Sequence, residues 1–438
     1  NKSGCTYLPG YSVSPPLTEE GLGNLVRANP GALWLIGNEP DRGPSPPSCT
    51  QGAQDDTYPD VYAEAYHDIY QFIKQRDPTA QIGVAGLVEV TPGRIQYLDK
   101  MWQAYLQKFG TTMPVDVWNM HLYILSEVEW DGQPNGIANV ALGTDPALGM
   151  RNSNHGNPEN WRNCLDPRDN IYCYAEHDNM TIFADQILRM RTWMKAHGQQ
   201  NKPLILSEYS LLFHFEDYDD PINPTKCWVQ DEFGGCFTAA RVTNFMTRTF
   251  NYLETAIDPN LGYPLDNNRL VQQWLWFSMY YPGAGKVSSL VITDATALTS
   301  VGWTFSNTVN HLATYINLLP ADVAHPVAFT STPSDTASAT LSVKVYNNGN
   351  TFTTDPITVT FYANSALTEV IGTSVLTDSL GGCARRQVTV AAIWEGLSEG
   401  LHRYWVKVEG DSPYTADNVA EGIVLINPKQ VFLPIVLH

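Results

Sequence analysis

The chain has 438 residues, more than the roughly 250–300 over which one hydrophobic core extends, so two domains are predicted and a single small module is excluded. Its 45 Asp and Glu residues outnumber its 26 Lys and Arg residues, and the net charge of −19 disfavours nucleic acid and anionic membranes as partners. The apolar runs are shorter than the ~20 residues that a membrane helix needs, so no membrane span is predicted.

Up to about residue 320, short apolar runs alternate with amphipathic stretches, which is typical of βα units that build a parallel sheet. Apolar residues recur at helical spacing around residues 61–73, 98–106, 182–193 and 242–250, which predicts four helices that face a core. Residues 1–322 are therefore predicted to form one α/β domain. The five runs predicted as its strands are Ala32–Gly37, Gln81–Val88, Val115–Ile124, Pro203–Ser207 and Leu270–Tyr280.

A second domain is predicted where the hydrophobic pattern changes to a period of two. Leu341, Val343 and Val345 alternate with polar residues, and the turn residues Asn347–Asn350 follow them. This pattern predicts a β-sandwich over residues 326–427, and its motifs resemble those of bacterial immunoglobulin-like modules. Residues 428–438 form an apolar tail that contains a proline, so the tail is predicted to form at most an edge strand.

The cysteines favour disulfides over a metal site. Cys164 and Cys173 lie nine residues apart, as do Cys227 and Cys236, and no Cys or His cluster has zinc-ligand spacing. Disulfides persist in oxidising compartments, so the protein is predicted to be extracellular or at the cell surface, with no cofactor or metal.

Two glutamates follow predicted strands. The first strand leads into Gly37–Asn38–Glu39–Pro40, and the fourth leads into Ser207–Glu208–Tyr209. In a βα barrel the loops after all strands converge at one mouth, so Glu39 and Glu208 are expected to face each other there. Cleavage of a glycosidic bond needs such a pair, one carboxyl protonated and the other ionised. For either glutamate alone, a structural or solvated role is the alternative.

The residues around both glutamates resemble a known family. Residues Trp34–Pro40 and Leu204–Tyr209 are similar to the fourth-strand and seventh-strand motifs of the clan A glycoside hydrolases, whose fold is a (β/α)8 TIM-type barrel. The resemblance implies a retaining mechanism in which Glu39 is the acid/base and Glu208 is the nucleophile. It also implies that Asn38 binds the sugar 2-hydroxyl beside the cleaved bond.

The sixth and eighth strands of the clan imply further site residues. His121 and Tyr123 are similar to the clan's His-x-Tyr, in which the tyrosine donates a hydrogen bond to the nucleophile. Trp276 is expected to form the floor of a sugar subsite, with packing inside the barrel as the alternative. A hydrogen-bonding role is favoured over metal binding for His121, because no second His or Cys lies at ligand spacing. We expect Glu208 to raise the pKa of Glu39, and Tyr123 to keep the pKa of Glu208 low.

The chain departs from the clan pattern at its start. Only about 31 residues precede the predicted fourth strand, so the first two or three strands of the barrel are missing. A longer gene product, a second chain or self-association that completes the barrel, or a remnant scaffold would account for this. The main hypothesis is a secreted retaining β-glycosidase that acts on a polysaccharide or oligosaccharide. The alternative is a non-catalytic surface, filament or adhesion protein.

Overall fold

The structure is a computed structural model that describes residues 11–428 except 30, 43–53, 79, 134–135, 154–163, 165–169, 214–228, 284–285, 333–334, 383–387, 414 and 416. The chain divides into two compact units, Asn1–Asn310 and His311–His438. Within the described residues, none of the helices combines the length and apolar character needed to cross a membrane.

Five parallel strands form the sheet of the first unit, one at each predicted position. Pairing joins β1 to β2, β3 to β4 and β4 to β5, and a parallel bridge between Gly83 and Val117 links the two groups. The strands therefore follow one another in chain order, as in half of a βα barrel, and no pairing among the described residues closes them into a ring. They are β1 (Leu33–Ile36), β2 (Gln81–Val84), β3 (Trp118–Leu122), β4 (Leu204–Tyr209) and β5 (Gln273–Trp276).

Helices connect these strands, and the four predicted amphipathic helices are confirmed. Helix α2 begins at a proline, whose missing N–H is not needed at a helix start, and buries Tyr62, Tyr66, Ile69 and Ile73 along one face. The helices α2 to α5 each connect two successive strands. The set is α1 (Asn24–Ala28), α2 (Pro59–Arg76), α3 (Pro92–Phe109), α4 (Met180–Ala196), α5 (Ala239–Thr255) and α6 (Ser300–Asn310).

The second unit consists of two β-sheets around a shared apolar core. Its strands are β6 (Leu318–Ala321), β7 (Val327–Ala328), β8 (Ala337–Asn347), β9 (Ile357–Tyr362), β10 (Val370–Leu376), β11 (Val388–Leu397), β12 (Gly400–Glu409) and β13 (Val419–Ile426). One sheet has the order β11-β8-β6, and the other has the order β10-β9-β12-β13-β7.

The period-two pattern in this unit predicted its core correctly. Leu341, Val343 and Val345 on β8 are all fully buried. Strand β6 pairs with β8, so residues 318–321 belong to the sandwich although the first domain was expected to extend to residue 322. The predicted tail lies outside the described residues, apart from Pro428.

Candidate functional site

A strained turn carries Glu39 at the end of β1. Gly37 has a φ of +97°, and a Cβ there would lie 2.4 Å from an Asp55 carboxylate oxygen, so this position favours glycine. Glu39 itself has a φ of +45°, which is uncommon for a residue with a side chain, and its amide donates to the Gly86 carbonyl at 3.0 Å. The turn directs Glu39 into a buried position where it is 5% exposed.

His121 lies between the two glutamates. Its Nδ1 is 3.1 Å from Glu39 Oε1 and 4.0 Å from Glu208 Oε2. The ring lies directly against Gly86, where an added Cβ would be only 2.2 Å from His121 Cδ2. A glycine at the end of β2 therefore makes room for the imidazole that bridges Glu39 and Glu208.

Tyr123 and Glu208 complete the cluster. The Tyr123 hydroxyl donates to Glu208 Oε1 at 2.8 Å. One facing atom from each of Glu39, His121 and Glu208 lies within 4.8 Å of the other two, so the glutamates do face each other across a short gap. The Glu39 side chain is 6% exposed and that of Glu208 is 25% exposed, which leaves Glu208 the more accessible of the two.

The pKa values of the two glutamates are shifted in the opposite order to the one expected from sequence. Burial raises the pKa of Glu39, but the hydrogen bond and the positive charge of His121 outweigh burial and lower it overall. Burial raises the pKa of Glu208 above its ordinary value, despite the His121 charge and the Tyr123 hydrogen bond. Glu39 has the His121 hydrogen bond and the nearby charges of Arg42 and Arg94, whereas Glu208 lacks that hydrogen bond and its pKa is raised further by the charge of Glu39.

The surroundings of His121 favour a proton on its imidazole ring. Burial lowers the pKa of His121, but the Glu39 hydrogen bond and the charges of both glutamates raise it overall. The same three side chains offer two carboxylate oxygens and one imidazole nitrogen that a metal ion could use. The expectation that the site works without a metal stays a prediction.

The remaining predicted binding residues differ in their placement. Asn38 is exposed directly beside Glu39, and its backbone is held by a 2.6 Å hydrogen bond to the Asp55 carboxylate. Trp276 is buried instead. Its indole N–H donates to the Ser288 carbonyl at 2.8 Å, and its ring packs against Phe250 on α5.

The role predicted for Trp276 was therefore wrong, because its ring faces the helices and not the side of the sheet that carries Glu208. Phe277 follows it and was missed from sequence. Side chains alternate along a strand, so Phe277, directly after β5, is expected on the side opposite to Trp276. Its ring is half-buried and lies 5.4 Å from the ring of Tyr281. The sequence signal for Phe277 was an aromatic residue next to Trp276, which alternation places on the other side of the chain.

A buried histidine ties together the loops that follow Tyr123 and Glu208. His177 Nδ1 lies 3.0 Å from the Ile124 carbonyl oxygen, and its Nε2 accepts a hydrogen bond from the Leu212 amide at 2.9 Å. Burial lowers the pKa of His177 to about 4, so the ring is neutral at neutral pH. It fixes the ends of β3 and β4 relative to each other.

The insertions after β3 and β4 are also cross-linked. A disulfide joins Cys164 and Cys173, which confirms the first predicted pair, whereas Cys227 of the second pair lies outside the described residues. The Glu232 carboxylate, from the second insertion, accepts hydrogen bonds from the amides of residues 174–175, both at 2.9 Å. The two insertions therefore hold each other in place near the end of β3.

Comparisons with known proteins do not assign the chain to a family. No family model and no curated protein matches it. The CARDB domain of a Pyrococcus furiosus protein is 20% identical, with a TM-score of 0.21, over 26% of this chain and 94% of that one. An endo-beta-1,4-mannanase double mutant from Cellulomonas fimi is 10% identical, with a TM-score of 0.25, over 84% of this chain and 58% of its own.

A beta-glucuronidase from glycoside hydrolase family 2 is likewise 10% identical, with a TM-score of 0.17, over 27% of this chain and 12% of its own. TM-scores of this size carry no argument about fold or function. Any functional conclusion therefore depends on the geometry around Glu39 and Glu208.

Proposed function

We propose that this protein is a retaining β-glycosidase that cleaves a polysaccharide or oligosaccharide outside the cell, with Glu39 as acid/base and Glu208 as nucleophile. The observation that carries the proposal is the short gap between the two carboxylates, whose facing oxygens lie within 4.8 Å. Retaining enzymes hold their carboxyl groups about 5–5.5 Å apart, whereas inverting enzymes leave room for a water molecule between them. No observation favours the non-catalytic alternative.

The hydrogen bond between His121 and Glu39 supplies the proton for the first step. The imidazolium and two carboxylates carry the same total charge as a neutral His121, a protonated Glu39 and an ionised Glu208. The two arrangements differ only in the position of one proton along a 3.1 Å contact. A bound sugar excludes water, which disfavours the separated charges and moves the proton to Glu39.

Bond cleavage then follows a double displacement. Glu39 donates its proton to the glycosidic oxygen while Glu208 attacks the anomeric carbon, so a glycosyl ester forms as the C–O bond breaks. The ionised Glu39 next takes a proton from water, which attacks the anomeric carbon and releases the Glu208 carboxylate. The Tyr123 hydroxyl donates to that carboxylate at 2.8 Å and stabilises its ionised form.

Sugar binding is proposed for residues on the open side of the site. Asn38 is exposed next to Glu39 and offers an amide to a sugar hydroxyl. Phe277 replaces Trp276 as the proposed aromatic surface for a sugar ring, because it is half-buried and alternation at the end of β5 places it opposite to the buried Trp276. The low share of charged residues in the chain, 16%, is compatible with a neutral polar substrate.

We also propose that the five-stranded sheet is the second half of a (β/α)8 barrel. Parallel strands in chain order, each connected by a helix, are the pattern of that fold. Among the described residues β1 and β5 each pair on one side only, so further strands, from a longer chain or a second chain, would complete the barrel. The β-sandwich would then be an immunoglobulin-like accessory domain.

The proposal is tested with the secreted protein and a panel of β-linked polysaccharides and aryl β-glycosides. Glu208→Ala should abolish turnover, and azide should restore activity to Glu39→Ala on an activated aryl glycoside. Glu64→Gln is the matched control, because Glu64 is an exposed carboxylate on α2. EDTA should leave turnover unchanged. Wild-type turnover that survives Glu208→Ala would overturn the assignment, and no turnover on any substrate would favour the non-catalytic alternative.

A further inference from the structure

A buried ion cluster lies behind the turn that carries Glu39. It consists of Arg94, at the start of α3, and the carboxylates Asp41, Glu89 and Glu127, whose side chains are 0–1% exposed. Asp41 follows β1, Glu89 follows β2, and Glu127 follows β3. One guanidinium therefore joins three loops at the edge of the sheet that holds the proposed catalytic pair.

Each nitrogen of Arg94 faces a different partner. Nε donates to Asp41 Oδ2 at 2.6 Å, and Nη2 donates to the carbonyl oxygens of residues 138–139 at 3.1 and 3.2 Å. Nη1 contacts the Glu127 carboxylate and lies 3.8 Å from Glu89 Oε1. Only a planar guanidinium presents donors in this forked arrangement, and a lysine ammonium does not.

Asp41 connects Arg94 to Glu39 through the backbone of the turn that contains both acidic residues. The Arg42 amide donates to the Glu39 carbonyl at 3.1 Å, so Asp41 lies inside the turn that Glu39 begins. The Asp41 carbonyl accepts a hydrogen bond from the Leu142 amide at 2.9 Å. A residue with a φ of +45°, such as Glu39, keeps that conformation only where its surroundings hold it.

The negative charges buried in this cluster are partly neutralised and partly hydrogen-bonded. Three carboxylates and one guanidinium would leave two unbalanced negative charges in the protein interior. Burial raises the pKa of Glu89 to about 8, so Glu89 is largely protonated at neutral pH. Glu127 is further satisfied by the Thr91 hydroxyl and by the Met150 amide.

We propose that Arg94 is a positioning residue for the acid/base, which acts by clamping Asp41 and so holding Glu39 in its strained turn. This inference rests on the proposed function, because it assigns Glu39 the proton donation. The hydrogen bonds and ion pairs of Arg94 among the described residues go to Asp41, Glu89, Glu127 and the carbonyls of residues 138–139, and its charge reaches Glu39 only through space. Its removal should therefore impair proton donation more than it impairs substrate binding.

Substrates with different leaving groups distinguish a loss of proton donation from a loss of substrate binding. Departure of 2,4-dinitrophenolate needs little protonation, whereas departure of phenolate needs a general acid. Arg94→Lys and Arg94→Met are compared with wild type on the 2,4-dinitrophenyl and phenyl β-glycosides of glucose, mannose, xylose and galactose. On the sugar that wild type cleaves, we expect kcat/KM to fall at least about tenfold for the phenyl glycoside and less than about twofold for the dinitrophenyl glycoside.

Arg191→Lys is the matched control. Arg191 is also fully buried, and it binds the carbonyls of Leu270 and Lys202 away from the two glutamates. Equal losses on both leaving groups in the Arg94 variants, or the same pattern in Arg191→Lys, would mean general destabilisation and would overturn the proposal. An unchanged kcat/KM on both substrates would overturn it as well.

A second measurement needs no substrate, so it separates this proposal from the proposed function. Amide hydrogen exchange reports the hydrogen bonds of the turn at Glu39 and Arg42. We expect residues 37–42 to exchange at least about tenfold faster in Arg94→Met, with α2 unchanged. Unchanged protection of residues 37–42 in a folded Arg94→Met would refute the clamp, even if wild type cleaves no substrate in the panel.

Discussion

His177 should make the stability of the first unit depend on pH. Its ring is 1% exposed, and both nitrogens have partners: Nδ1 donates to the Ile124 carbonyl and Nε2 accepts from the Leu212 amide. A second proton on Nε2 would place a donor against that amide. Burial accordingly lowers the pKa of His177 to about 4, from an ordinary value near 6.5.

The size of the effect follows from this shift. The unfolded chain takes up a proton on His177 near pH 6.5, whereas the folded chain does so only near pH 4. Stability from the neutral ring is therefore present above pH 6.5 and is lost as the pH falls towards 4. This difference between the pKa values of His177 in the unfolded and folded chains lowers the unfolding free energy by about 3 kcal/mol at pH 4.

The assay is urea unfolding of wild type and His177→Gln at several pH values between 7.5 and 4. Glutamine offers one amide donor and one carbonyl acceptor, so it can make both hydrogen bonds without titrating. We expect wild type to lose about 3 kcal/mol more than the variant across this range. The carboxylates are common to both proteins and cancel in the difference. Parallel pH profiles would refute the assignment of a neutral His177.

Three other changes have expected outcomes. Tyr123→Phe removes a hydrogen bond to the charged Glu208, worth about 1.5–3 kcal/mol, so the pKa of Glu208 should rise. The acidic limb of the pH profile of kcat/KM should then move up by about 1–2 pH units, and an unmoved limb would contradict this. Gly86→Ala should displace His121, lower activity more than about tenfold and cost about 1–3 kcal/mol in urea unfolding. Wild-type activity and stability in this variant would contradict the prediction. Leu341→Ala should destabilise the sandwich by about 2–5 kcal/mol in calorimetry, since Leu341 is fully buried, and a smaller loss would indicate collapse of the cavity.

The elements of both units could be predicted because hydrophobic periodicity is a local property. The helical spacing of Val61, Ala65, Ile69, Phe72 and Ile73 indicated α2, although of these only Ile69 and Ile73 are buried in the structure. The alternation of residues in β8 indicated a buried face. The strand boundaries were less accurate. The run Leu270–Tyr280 contains a strand only at Gln273–Trp276, because the Leu270 amide donates to the Ala256 carbonyl, and the carbonyls of Ser278 and Met279 accept from the Leu290 amide instead of from a strand.

The facing of Glu39 and Glu208 was also predictable, since parallel strands in one sheet bring their carboxyl ends to the same edge. The pKa order of the pair was not. It depends on which carboxylate is hydrogen-bonded to His121, at 3.1 Å for Glu39 against 4.0 Å for Glu208, and on the charges of Arg42 and Arg94 near Glu39. Likewise, alternation predicted that Trp276 and Phe277 point to opposite sides at the end of β5, but only packing against α5 decided which side was buried.

The sequence by itself determined the order of strands and helices, the separation into an α/β unit and a β unit, and the strand ends that carry the acidic residues. These follow from spacing along the chain. Only the tertiary structure decided the partners of Asp41. Its partner, Arg94, lies 53 residues away. A long-range contact of this kind depends on how strands and helices pack in three dimensions, and local periodicity carries no information about it.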